Sequence, residues 1–167
     1  GRVKALARDV DLCLPLFRFE HEFLEAHGVV SAWRGHPLAD GFASVAPSPP
    51  PLEASRIALL PGSRRSEIRR LLPTLRESAS QLQAEGFSPV FSVAPGLSDD
   101  LKEWMKRELR GMEIFEGEGR ELLSGSAAAA GASGTVAVEA MLLDRFMVVL
   151  YKTGFLSECV WRMLAKT

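Results

Sequence analysis

The chain has 167 residues, 20 of them Lys or Arg against 21 Asp or Glu, for a net charge of −1, and 47% are hydrophobic. This is about the length of one globular domain, and the balanced charge excludes a general nucleic-acid binder, which is usually basic. No apolar run approaches the ~20 residues that a membrane span requires.

The chain opens on Gly1-Arg2-Val3-Lys4, without Met and without the apolar stretch of a secretory leader. Residues 2–9 read as half an element, so the chain is expected to be a piece of something longer. Residues 11–17, DLCLPLF, have the look of a buried strand ending at Pro15. Residues 20–27 follow as a helix stopped by Gly28, and residues 29–33 as a short strand. The order is β-α-β, closed by Gly35-His36-Pro37.

Residues 47–54 hold four prolines, three of them consecutive at Pro49, Pro50 and Pro51. Such a stretch is stiff and extended and continues neither a helix nor a central strand. It is expected to be a linker between an incomplete first unit, 1–46, and a second unit, 55–167.

Beyond the linker, strands and helices alternate. Residues 56–60 form a strand, and 66–85 a helix with Ser66 as its N-cap and Pro73 either kinking it or opening a second helix. Residues 89–94 are the next strand, 99–109 an amphipathic helix ended by Gly111, 112–115 a strand and 120–123 a helical turn. Residues 127–130 read as an alanine-only strand, 136–143 as a helix, 147–151 as an all-apolar strand and 155–164 as a terminal helix with an apolar face. Strands apolar throughout, alternating with helices, predict an α/β fold, a Rossmann-like parallel sheet with helices on both faces.

In such sheets ligands bind beyond the C-terminal ends of the strands, at helix N-termini. Two loops qualify. In the first, Gly62 permits a tight turn, Ser63 brings a hydroxyl and Arg64 a planar fork suited to phosphate oxygens. The GxxxxGK[ST] spacing of a P-loop is absent. In the second, Ser133 and Thr135 are placed to cap a helix, and N–H groups near Gly134 to cradle an anion. Glu139 lies one turn on, on the face of Thr135, where a carboxylate accepts hydroxyl protons from a ribose. Each loop alone also reads as an ordinary helix cap; together they point to a nucleotide diphosphate site.

His21, His27 and His36 lack metal-ligand spacing, and no metal or cofactor is expected. Cys13 and Cys159 are too far apart for a CxxC site and read as buried hydrophobes or surface thiols of a reducing compartment.

The string Leu59-Leu60-Pro61-Gly62-Ser63-Arg64, then Ser66-Glu67-Ile68 and Leu71-Leu72-Pro73, resembles the lipid-A-disaccharide synthase family. Gly35-His36-Pro37-Leu38 with Asp40, Ser133-Gly134-Thr135 with Glu139, and the stretch 147–152 match in the same order, so the resemblance spans essentially the whole chain. Two details depart from the family's pattern: Val136-Ala137-Val138-Glu139-Ala140 stands where it reads ATLEA, and Ser126 where it carries Asp.

The resemblance implies a two-domain, GT-B type glycosyltransferase. It would join UDP-2,3-diacylglucosamine to 2,3-diacylglucosamine 1-phosphate, an inverting, metal-independent transfer that releases UDP and makes the lipid A disaccharide. Residues 1–46 would end the acceptor-side domain and 55–167 would be most of the donor domain. Gly62, Ser63, Arg64, Ser133, Gly134 and Thr135 would meet the diphosphate, and Glu139 the ribose. The catalytic base would precede Gly1 and the uracil contacts would follow Thr167, leaving this chain inactive alone. A cytoplasmic location at the inner face of the inner membrane follows for the full-length protein, with peripheral membrane contact and a homodimer left open. The alternatives are a UDP-sugar epimerase of the same fold and a nucleotide-binding module without catalysis.

Overall fold

A computed structural model describes residues 2–42 and 55–152. The linker at 47–54, the terminal helix expected at 155–164 and Cys159 lie outside the described residues. The chain divides into two compact units, Gly1–Ala46 and Pro47–Thr167.

The first unit holds helices α1 (Arg2–Asp9), α2 (Arg18–Ala26) and α3 (Pro37–Phe42). The two expected strands contract to a single parallel bridge, Cys13 with Ser31. Cys13 N–H donates to Val30 O at 2.9 Å, and Ala32 N–H donates to Cys13 O at 3.0 Å. The next donor in this ladder falls at Pro15, which has no N–H, so pairing stops there. At the start of α2 the Glu20 carboxylate accepts the N–H groups of Leu16 and Phe17, at 3.2 and 3.1 Å. At its end Gly28 takes φ +74. Gly28 N–H then reaches Glu25 O and Val29 N–H reaches Leu24 O, both at 3.0 Å, the paired bonds of a Schellman turn.

The second unit is a five-stranded sheet of order β3-β2-β1-β4-β5, parallel at every pairing. Its strands are β1 (Arg56–Leu60), β2 (Ser88–Val93), β3 (Glu113–Glu116), β4 (Ala128–Ala132) and β5 (Phe146–Leu150). The helices between them are α4 (Arg65–Ala84), α5 (Asp99–Glu108), α6 (Gly119–Ser124) and α7 (Thr135–Leu142). Leu59, Phe91 and Val93 point to one face and bury against Ile68, Leu72 and Leu75 of α4 and Leu101 and Met105 of α5. Ala58, Leu60 and Val90 alternate to the other face and are equally buried. A β-carbon on Gly119 would touch Leu60 at 3.5 Å and Val136 at 4.0 Å, which sets α6 and α7 on that second face. Apolar residues on both faces of β1 and β2 are what a doubly covered parallel sheet demands, while the edge strands β3 and β5 are half-buried or exposed.

One of the two readings of Pro73 is excluded, and the expected N-caps are corrected. α4 is one continuous helix with Pro73 inside it. Pro73 is exposed, so water can satisfy the carbonyl it leaves without a donor. The N-cap of α4 is Arg64, not Ser66, which lies inside the first turn. The N-cap of α7 is Gly134, so neither Ser133 nor Thr135 caps that helix.

Ser126 sits just before β4, buried, and its hydroxyl donates to Leu122 O at 2.7 Å, tying the end of α6 to the strand. Among the described residues no helix is long and apolar enough to cross a membrane.

Candidate functional site

β1 and β4 are neighbours, yet the chain leaves β1 toward β2 and leaves β4 toward β5. The helix connections diverge there and open a crevice at the strands' C-terminal ends, the topological switch point of such sheets. The two loops singled out above are the ones that emerge at this crevice. A cavity of about 380 Å³ lies between them and is lined by Gly62, Ser63, Arg64, Ser133, Gly134, Thr135 and Glu139 together.

Backbone geometry explains the glycines. Gly62 has φ +110, and a β-carbon there would come within 2.9 Å of Glu67 Oε2 and 3.2 Å of the Ala132 side chain. Both the dihedral and the room exclude a side chain. Gly134 has φ +154 and ψ −157, a region essentially limited to glycine, although a β-carbon would point into open space. Each glycine turns its strand sharply into a helix whose first-turn N–H groups lack intrahelical partners. Those of α4 belong to Arg65, Ser66 and Glu67.

The charges are sorted by side-chain reach. The Arg64 guanidinium is exposed and donates to Glu67 Oε1 at 2.7 Å. Arg65 points elsewhere: its guanidinium pairs with Asp100 at 2.5 Å, holding the start of α4 to the start of α5. A hydrogen bond from the Ser98 hydroxyl, and then that pairing, keep the Asp100 carboxyl below its ordinary range. Of the arginine run from Arg64 to Arg70, Arg64 is the one that lines the cavity.

Glu139 is half-buried, and burial pushes its carboxyl above the ordinary glutamate value, helped by the charge of Glu118 and opposed by Arg120. A carboxyl with a raised native pKa binds its proton more tightly in the folded state. Its contribution to stability is full below the unfolded value of 4.5 and is lost as pH rises through the native value. Glu139→Gln removes that loss, so the variant's thermal midpoint should gain on the wild type as pH climbs above about 4.5, and the gap should close in acid. Thermal unfolding of both proteins across that range checks it.

Glu67, Ser92, Glu118 and Gly119 are among the further residues that line the cavity. Ser92 is a buried hydroxyl in an otherwise apolar strand, a signal visible in the sequence. Glu118 and Gly119 follow β3, so the strand-end rule that found the other loops also points to them. The histidines take local roles. His21 Nδ1 lies 2.8 Å from Ser31 Oγ, His27 Nδ1 lies 2.8 Å from Phe23 O, and His36 Nδ1 accepts Leu38 N–H at 3.2 Å. Among the described residues no group of three or more His, Cys, Asp or Glu is placed to hold a metal ion. A larger groove of about 750 Å³ in the first unit is walled by Leu6, Leu14, Leu16, Phe19 and Phe23. Its one carboxylate, Glu20, is already taken by the backbone at the start of α2.

The second unit is thus a Rossmann-like α/β domain with a polar, glycine-turned cavity at its switch point, the class of domain whose ligands occupy this crevice. The family model described as lipid-A-disaccharide synthetase matches residues 1–167, and the chain belongs to that family. A lipid-A-disaccharide synthase of Anaeromyxobacter sp. (strain K) is 39% identical over 181 residues, covering 99% of this chain and 46% of its own length. Those of Myxococcus xanthus, at 37% identity, and Acinetobacter baylyi, at 36%, each cover 99% of this chain and 46% and 47% of themselves. The chain spans about half the length of the curated relatives it matches.

Proposed function

We propose that this chain is the donor-binding part of a lipid A biosynthesis glycosyltransferase that joins UDP-2,3-diacylglucosamine to 2,3-diacylglucosamine 1-phosphate. The observation that carries the reading is the meeting of both strand-end loops around one cavity, which gathers all seven residues expected to bind the donor. The family and its relatives' names support lipid A disaccharide synthesis; the particular acylated substrates are part of the proposal.

The cavity divides chemically in two. Arg64, the hydroxyls of Ser63, Ser133 and Thr135, and the helix N-termini are donors and suit the diphosphate. Glu139 accepts only, and suits the ribose hydroxyls. As the glycosidic bond to UDP breaks, negative charge grows on the diphosphate, and donors fixed around it stabilise that charge. Residues 1–46 are read as the end of the acceptor-side domain. The base that deprotonates the acceptor hydroxyl is assigned to the part of the full protein that lies outside this chain. Because donor and acceptor are both acylated, the full protein is read as working peripherally at the inner face of the inner membrane.

The test is product analysis on the full-length protein supplied with both acylated substrates. Disaccharide 1-phosphate and UDP in equal amounts are expected. Conversion of UDP-N-acetylglucosamine without an acceptor would replace the reading with an epimerase.

A further inference from the structure

Glu67 is a carboxylate in a cavity otherwise suited to an anion. Its Oε1 accepts Arg64 Nη1 at 2.7 Å, and its Oε2 lies 2.9 Å from where a Gly62 β-carbon would stand. It is the third residue of α4, in the first turn, where the helix dipole favours negative charge. Its side chain is 28% exposed, against 77% for Arg64. One carboxylate therefore holds the loop's guanidinium and stands in the first turn of the helix whose N-terminus opens on the cavity.

We propose that Glu67 competes with the ligand's diphosphate for Arg64 and the first turn of α4, and that it thereby weakens the hold on UDP more than on a UDP-sugar. This rests on the reading that the cavity binds a UDP-sugar. An exposed Arg–carboxylate pair is easily exchanged, so Arg64 can swing from Glu67 to a phosphate oxygen. The repulsion that remains depends on the charge of the ligand. A diphosphate esterified at both ends carries about two negative charges, and UDP, with a terminal phosphate, carries close to three near neutral pH. Glu67 therefore presses harder on the product than on the donor. It is a specificity residue that favours departure of the leaving group.

Calorimetric titration of the wild type, Glu67→Gln and Arg64→Ala with UDP and with UDP-N-acetylglucosamine tests this. Glu67→Gln keeps the shape and removes the charge, and should tighten UDP roughly three- to tenfold and UDP-N-acetylglucosamine by clearly less. Glu67→Ala, which removes the carboxylate outright, should act in the same direction. Unchanged or weaker UDP binding in both variants, or an equal gain for both ligands, overturns the inference. If the wild type binds UDP, Arg64→Ala weakens it and neither Glu67 variant tightens it, the site reading stands and only the role of Glu67 falls. If the wild type binds neither ligand, both fall.

Discussion

Replacing Gly131 by alanine is expected to destabilise the second unit by about 3 kcal/mol, the upper end of ordinary overpacking costs. Gly131 lies in β4 opposite Leu60 of β1. A β-carbon on it would overlap the Leu60 carbonyl oxygen and come within 2.7 Å of the Leu60 β-carbon. The obstacle is backbone in the middle of the sheet, which cannot rotate out of the way as a side chain can. The strands would have to part at the very ladder that carries both site loops, so ligand binding should fall with stability. Gly96→Ala is the control. It has nothing within 4 Å of its would-be β-carbon and should change stability by no more than about 0.5 kcal/mol. Urea unfolding of the two variants checks the pair. Equal stabilities would mean that β1 and β4 are not packed at this distance.

Arg64→Ala is expected to weaken UDP binding roughly ten- to hundredfold, the range for losing a hydrogen bond to a charged group. Stability should barely move, because the Arg64–Glu67 pair is exposed and such pairs contribute about 0–1 kcal/mol. Arg64→Lys should recover only part of the loss, since an ammonium keeps the charge but not the two-pronged geometry. Calorimetry gives the affinity and thermal unfolding the stability. A loss of affinity that tracks a loss of stability would reassign Arg64 to structure.

The strands are legible because runs apolar on both faces leave a clear pattern, although β5 is largely exposed in the structure. RIALL, PVFSVA and MVVLY have no polar face to offer to water. β4 is harder to read, since alanine and glycine are neither strongly apolar nor β-forming. Its place between β1 and β5, and the need for Gly131 to pass close to Leu60, account for that composition. The first unit was read less well. The apolar sequence predicts a buried strand ending at Pro15 and a short strand at 29–33, and the structure keeps only one bridge between them, Cys13 with Ser31.

Within the site, glycine turns followed by helix starts located both loops. The exact caps were misread because serine and threonine are the usual N-caps, while here the turn chemistry lies in Gly134 and in the Arg64–Glu67 pair. Glu67, Ser92 and Glu118 escaped notice for another reason. Glu67 stands in the first loop's own string, Glu118 at a strand end and Ser92 as a hydroxyl in a mostly apolar strand; what the linear order lacks is that the assembled sheet brings all three to one cavity.

UDP is proposed to bind in the crevice between β1 and β4. Following backbone amide chemical shifts while UDP is titrated into the protein tests it most directly. Saturable shifts are expected at residues 62–67 and 133–139, with smaller ones at Glu118 and Gly119. No shifts at saturating UDP, or shifts confined to the apolar groove of the first unit, would contradict this binding.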